Sequence, residues 1–354
     1  MAPPQSKPRP AQPTTLRRLA QSLALSPTTV SRALNGYDDV SEGTRRRVLE
    51  AARASGYAPN PRARSLATGR AMAIGHVVPG GSEHEIVNPV FADFVAGAGE
   101  VYAAAGYEMV LSVMPEGAED EGYRALAQSG RVDGLILQAP RPQDARITLL
   151  TELGLPFVVH GRASMARSPY HWVDMDNRRA FLRATQHLLA LGHRRIALLN
   201  GPVGLDFSAR RAAGVEEALL RARCPAPPSF VCHDRMTETY GYDATTKLLA
   251  HGTPPTGVLT SSLLIAMGAR RAVEDAGLRV GSDVSIVTHD DGLSYLPNGT
   301  AEAPMFTATR APVGTMGREA AQMLLAVIAK KHRVPTPRLL PATFTVGPST
   351  GPAP

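Results

Sequence analysis

Ser26-Pro27-Thr28-Thr29-Val30-Ser31-Arg32-Ala33-Leu34-Asn35-Gly36 decides how the first part of this chain folds. On a helix of about 100° per residue, Thr28, Ser31, Arg32 and Asn35 share an arc with Pro27, and Thr29, Val30, Ala33 and Leu34 share the opposite one. Ser26 is a suitable N-cap, Pro27 suits the first turn, and Gly36 is the usual residue just past a helix end. The spacing therefore predicts a helix over Pro27–Asn35 with one polar and one small apolar face. A first helix over Leu16–Gln21 supplies Leu16, Leu19 and Ala20 as its apolar partner, and Ser22–Ser26 leaves room only for a tight turn. Two short helices so joined, the second presenting an arginine, have the geometry that enters a DNA major groove. An arginine there donates to guanine O6 and N7, worth about 1–3 kcal/mol of discrimination. An ordinary helical hairpin has the same wheel, so charge must decide between them.

Charge favours DNA. Residues 1–70 hold twelve Lys/Arg and four Asp/Glu, a net +8, while the remaining 284 residues hold 26 and 27, a net −1. A basic module joined to a neutral body points to a nucleic-acid partner. A third helix is expected over Glu42–Ser55, then a break at Tyr57-Ala58-Pro59-Asn60-Pro61 and a helix-compatible stretch over Arg62–Thr68. Residues 1–13, with five prolines, read as a disordered lead without the apolar region of a secretory signal. No apolar run approaches the ~18–20 residues of a membrane span. Two cysteines, Cys224 and Cys232, cannot staple 354 residues, so a reducing cytoplasm is expected.

From residue 72 the pattern becomes short apolar runs alternating with helical stretches. Strands are expected at Ala73–Val78, Tyr107–Val113, Gly134–Leu137, Phe157–His160, Arg195–Asn200, Gly257–Thr260 and Val284–Thr288. Helices are expected near 91–105, 119–129, 144–153, 177–191, 208–222, 240–250 and 262–276. Apolar strands separated by helices imply parallel sheets covered on both faces, and this number suits two doubly wound lobes.

Thr15-Leu16-Arg17-Arg18-Leu19-Ala20, Leu25 through Gly36, Val40-Ser41, Thr44-Arg45, Val48 and Gly56-Tyr57-Ala58-Pro59-Asn60 resemble the headpiece of LacI/GalR-family repressors. The resemblance runs to about residue 346. It implies a small all-α helix-turn-helix headpiece (14–59), a hinge (60–69), an α/β body similar to periplasmic sugar-binding proteins (70–346) and a tail (347–354). Within the body, one lobe would take 72–173 and 307–333, and the other 174–306 and 334–346. It also implies DNA contacts from Thr15, Arg17, Ser26, Pro27, Thr28, Ser31, Arg32 and Asn35, with Pro27, Thr28 and Arg32 reading bases. In the hinge it implies contacts from Asn60, Arg62, Ala63 and Leu66. Arg62 and Arg64 suit phosphates, and Leu66 suits a wedge into a minor-groove step. Two departures stand out. Arg18 replaces a usual acid, and Ala24 replaces the turn glycine, so the backbone at Ala24 must accept a strained or an altered turn.

Ligands of open parallel sheets bind at the strands' carboxyl ends. Here those ends are Pro79, Gln138, His160-Gly161-Arg162, Asn200, Ser261-Ser262 and His289-Asp290-Asp291, with Arg211 opening a following helix. Guanidinium forks and carboxylates suit vicinal hydroxyls, and Phe91 and Trp172 offer flat faces to a sugar ring. The resemblance gives Arg211 and Asp290 the family's commonest ligand positions. Gly161 stands for a frequent Asp there, and Ser262-Leu263 for a frequent Asn-Asp. The expected effector site is thus Phe91, His160, Arg162, Trp172, Arg211, Ser261, Ser262 and Asp290. The His-Asp-Asp and Ser-Ser forms resemble the α-glucoside subgroup.

The expected function is a repressor that binds a palindromic operator as a homodimer, under allosteric control by a sugar-like effector. It needs no cofactor or metal and works in the cytoplasm on nucleoid DNA. A nucleobase effector and a sequence-tolerant architectural DNA binder are the alternatives. Enzyme motifs are missing: there is no G-x-S-x-G, Walker loop, H-E-x-x-H or G-x-G-x-x-G after a strand. Cys224, Cys232 and His233 lack zinc spacing. No heptad repeat follows the body, which argues against a tetramerising coiled coil.

Overall fold

The structure, a computed structural model, describes residues 15–34, 36–57, 69–79, 88–115, 117–330 and 334–354. The lead, Asn35, and the expected hinge contacts Asn60, Arg62, Ala63 and Leu66 lie outside the described residues. The chain divides into two compact units, residues 1–71 and 72–354.

The first unit holds three helices: α1 (Leu16–Leu23), α2 (Pro27–Leu34) and α3 (Glu42–Ala54). Each start is fixed by a hydroxyl that accepts a backbone N–H: Thr15 from Arg18 (3.3 Å), Ser26 from Thr29 (3.0 Å) and Ser41 from Thr44 (3.3 Å). Leu19, Ala20, Val30, Ala33, Val48 and Ala52 are buried together, so the apolar arc of the second helix faces the core. The first helix runs two residues past its expected end because Ala24 takes the left-handed conformation (φ 55°, ψ 39°) and returns its N–H to Gln21 O (3.2 Å).

The second unit carries two six-stranded sheets. The first has the order β11-β5-β4-β3-β1-β2, with β1 (Ala73–Pro79), β2 (Glu108–Met114), β3 (Gly134–Leu137), β4 (Phe157–His160), β5 (Trp172–Met175) and β11 (Pro337–Leu340), all parallel. The second has the order β12-β10-β9-β8-β6-β7, with β6 (Ile196–Asn200), β7 (Val231–His233), β8 (Gly257–Thr260), β9 (Ser285–Asp290), β10 (Thr307–Arg310) and β12 (Thr343–Thr345), the last antiparallel. Helices α4 (Pro89–Ala104), α5 (Glu119–Ser129), α6 (Ala145–Glu152) and α11 (Val313–Ile328) cover the first sheet. Helices α7 (Asn177–Ala190), α8 (Asp206–Arg221), α9 (Glu238–Leu249) and α10 (Leu263–Asp275) cover the second. α9 and α10 approach so closely that a Cβ on Gly268 would lie 1.9 Å from Glu238 O.

The lobe boundaries differ from the expected ones. β10 belongs to the second sheet and β11 to the first, so the chain crosses between lobes after Met175, after Arg310 and after Leu340. Residues 307–310 had been expected in the first lobe, and 334–346 wholly in the second. Pairing of Thr307 with Val287 and of Arg310 with Asp290 fixes β10. The expected tail is sewn into the second lobe. Ser349 Oγ donates to Ile286 O (2.6 Å) and accepts from Thr307 N (2.8 Å), and Ala353 N donates to Leu191 O (2.8 Å). Among the described residues, no helix is long and apolar enough to cross a membrane.

Candidate functional site: an interlobe cleft and a recognition helix

A cavity of about 380 Å³ lies where the carboxyl ends of both sheets face each other. Phe91, His160, Arg162 and Arg211 line it, with Gln138, Asp174, Asn177, Phe207, Arg235, Glu238 and Asp291. A continuous chain of bonds runs along its floor from one lobe to the other. Arg162 Nε donates to Asp174 Oδ2 (2.7 Å), and Asn177 Nδ2 donates to Asp174 Oδ1 (3.1 Å). Arg211 Nε donates to Asn177 Oδ1 (2.7 Å) and Nη1 to Ser261 O (2.5 Å). The Arg211 guanidinium lies between the Phe181 and Phe207 rings, 5.0 and 4.9 Å from their centroids. Burial pushes its pKa down to about 10, opposed by Asp291 and Asp174, so it is charged at neutral pH. Burial raises the Asp174 carboxyl, with Arg162 pulling the other way. His160 stacks on Phe94 (4.3 Å), and burial lowers its pKa to about 4, so it enters the cleft neutral.

Four expected effector residues lie elsewhere. Trp172 packs into the first lobe under the Arg162 guanidinium, 5.1 Å from the ring centroid, and is not among the lining residues. Ser262 caps α10 by accepting from Ile265 N (3.3 Å), and Ser261 Oγ donates to Asn200 Oδ1 (2.6 Å). Asp290 faces a separate cavity, where it accepts from Gly292 N (2.8 Å) and pairs with Arg310 (3.0 Å). Its neighbour Asp291 is the carboxylate in the cleft. Successive residues leaving a strand point to opposite sides, so a shift of one residue exchanges the two roles. Among the described residues, two groups of the lining residues are buried without a hydrogen-bond partner: Gln138 Nε2 and Asp291 Oδ2. Of the residues passed over in the sequence, Asp174 lies on a four-residue strand, Trp172–Met175, that was not expected, and Asn177 opens the helix expected near 177–191 without having been read as part of the site.

In the headpiece, Arg17, Ser26, Pro27, Thr28 and Arg32 are exposed and Ser31 is half-buried. Thr15 and Ser26 are also caps, so their hydroxyls already serve the helix starts. Arg32 is paired with Asp39 and packs on Tyr37.

Residues 15–60 match the model of the bacterial regulatory proteins of the lacI family, and residues 185–350 match a periplasmic binding protein-like domain. The HTH-type transcriptional regulator AglR of Rhizobium meliloti (strain 1021) is 42% identical over 97% of this chain and 96% of its own. The chain belongs to the LacI family. It is a DNA-binding transcriptional regulator. The HTH-type transcriptional regulator RafR of Escherichia coli is 34% identical over 88% of this chain and 91% of its own. Among solved structures, a CelR–cellobiose complex aligns with TM-score 0.70 at 31% identity, covering 95% of this chain and 99% of that one. The lac repressor dimer bound to operator and the anti-inducer ONPF aligns with TM-score 0.81 at 26% identity, covering 96% and 100%.

Proposed function

We propose that this LacI-family regulator represses transcription as a homodimer on a palindromic operator, answering to an uncharged sugar held in the interlobe cleft. One observation carries the effector reading. Gln138 and Asp291 line the cleft, and Gln138 Nε2, a donor, and Asp291 Oδ2, an acceptor, are buried without partners among the described residues. A buried polar atom left unbonded costs about 1–3 kcal/mol, and a hydroxyl, which donates and accepts, relieves both kinds. The lining also balances in charge, with Arg162, Arg211 and Arg235 set against Asp174, Glu238 and Asp291. A neutral polyol suits that balance better than a sugar phosphate. The CelR–cellobiose complex supports a disaccharide, and the operator-bound lac repressor dimer supports the dimer. A helix-turn-helix reads only a few base pairs, so two copies on a palindrome are needed for a unique site. Pro27, Thr28 and Arg32 read bases, and Arg17 meets phosphate. The regulator acts in the cytoplasm, where operator DNA is, and we assign it no catalytic activity.

Calorimetry of the full-length protein against mono- and disaccharides, a sugar phosphate and nucleosides tests the effector class. With the sugar so found, Asp291→Asn is expected to weaken binding at least tenfold, the worth of a hydrogen bond to a charged group. Asp290→Asn is expected to stay within about twofold of wild type. Unchanged affinity in Asp291→Asn, or tight binding of a nucleoside alone, overturns the sugar reading.

A further inference from the structure

Arg32, the one arginine on α2, is held within the headpiece. Its Nε donates to Asp39 Oδ1 at 3.1 Å, and its Nη2 lies 2.6 Å from Asp39 Oδ2. This is a two-point contact along the side of the guanidinium, where Nε and Nη2 point the same way. The planar group has a second fork at its end, made by Nη1 and the outward N–H of Nη2. Nη1 has no hydrogen bond among the described residues. The Tyr37 ring lies against the guanidinium, 5.1 Å from Cζ to centroid. Asp39 itself is held in place. Tyr37 N donates to Arg32 O (3.1 Å), Arg45 Nη2 donates to Tyr37 O (2.8 Å), and the next residue, Val40, is buried in the headpiece core.

We infer that Asp39 is a positioning residue for base reading: it fixes the plane of Arg32 and leaves the end-on fork aimed outward for a guanine. The inference rests on the reading of α2 as the helix in the major groove. An unheld arginine loses rotamer freedom when it grips a base, and it can reach a phosphate as easily. An arginine already clamped along one edge loses less on binding and is restrained from straying. Guanine presents O6 and N7 to the free edge; adenine presents N7 beside an amino donor that repels it. Asp39 also places a negative charge near the phosphates, which weakens attraction to DNA of any sequence. The two effects give Asp39 an unusual signature, since its loss tightens binding to unrelated DNA while blunting discrimination at one base.

The test uses the full-length protein and a duplex selected by the wild type from a random-sequence pool. Affinities are read by fluorescence anisotropy at fixed salt. The probes are that duplex, its derivatives with each symmetric guanine pair replaced by 7-deazaguanine or adenine, and an unrelated duplex. Arg32→Ala is expected to abolish the preference for one guanine pair. Asp39→Ala is expected to reduce the same preference about two- to fivefold, the scale of an exposed ion pair, and to bind the unrelated duplex more tightly than wild type. Asp39→Glu, which keeps the charge and both oxygens, should restore most of the preference. Asp39→Asn, of the same shape, carries the test should Asp39→Ala misfold by circular dichroism. The proposal is overturned if Asp39→Ala or Asp39→Asn keeps the wild-type preference, or if these two weaken every duplex alike as a merely structural loop residue would. An Arg32→Ala protein with its guanine preference intact removes the groove reading itself, a failure distinct from that of Asp39.

Discussion

His76 sits on β1 with Nε2 3.3 Å from the Tyr102 hydroxyl and with Nδ1 buried and unbonded among the described residues. It is 1% exposed, and burial lowers its pKa to about 4 from an ordinary value near 6.5. A proton therefore binds the unfolded chain before the folded one. The stability associated with neutral His76 is complete above about pH 6.5 and is lost as pH falls toward 4. The expected loss by pH 4.5 is about 2–3 kcal/mol. His76→Gln, which does not titrate, should flatten that part of the pH–stability curve in thermal unfolding at pH 7.0 and 4.5, relative to wild type. Equal slopes would mean that the site admits a charged imidazole. His76 was readable only as a residue inside an apolar run; that it lacks a second partner depends on what packs behind the strand. The aspartates obey the same limit. Position along the chain located His289-Asp290-Asp291 at a strand end, yet which carboxylate enters the cleft turns on a one-residue register and on Arg310, which arrives from another strand to take Asp290.

At the scale of elements, Ala24 closes α1 in the left-handed conformation, which L side chains reach at a cost of about 1–2 kcal/mol. Ala24→Gly should therefore stabilise the headpiece. The gain is about 0.5–1 kcal/mol, because glycine also loses more backbone freedom on folding. Denaturant unfolding followed by helical circular dichroism checks it; a destabilised variant would show that the turn does not strain alanine. The tight turn was legible because both neighbouring helices were strongly patterned and only a few residues could join them, whereas its strain at Ala24 followed from the family resemblance, in which glycine holds that place. Strands β3, β4 and β8 were legible to the residue, since β3 and β8 are runs buried on both faces and β4 is centred on the buried pair Val158-Val159. β5, β7, β10, β11 and β12 were not. Thr307-Ala308-Thr309-Arg310 and Pro337-Arg338-Leu339-Leu340 have no alternation or apolar run to announce them, and they are strands because a neighbouring edge is there to pair with. The wrong lobe assignment of residues 307–310 and 337–340 has the same origin.

At the scale of the whole effector body, two carboxylate–serine contacts of like chemistry help to fasten the lobes across the cleft, with a backbone bond from Asp206 N to Pro140 O (3.0 Å) beside the first. Asp206, at the start of α8 in the second lobe, accepts from the backbone N–H (2.9 Å) and the hydroxyl of Ser164 in the first. Asp93, on α4 in the first lobe, accepts from the backbone N–H (2.7 Å) and the hydroxyl (2.6 Å) of Ser294 in the second. In each case one carboxylate takes two donors from a serine across the gap, so opening the cleft must break four hydrogen bonds to charged acceptors. An effector shifts this molecule only by its different affinity for the fastened and the opened arrangement. Alanine at both serines keeps the backbone donors and removes the hydroxyl bonds, weakening the fastened arrangement by about 1 kcal/mol per site. The doubly substituted protein, Ser164→Ala with Ser294→Ala, should bind its effector several-fold more weakly, since part of each binding event is then spent closing the lobes. Small-angle scattering without ligand should give a larger radius of gyration than wild type, and saturating effector should bring the two values together. Unchanged effector affinity with unchanged scattering would show that the floor network through Asp174, Asn177 and Arg211 fixes the lobe angle without help from either serine.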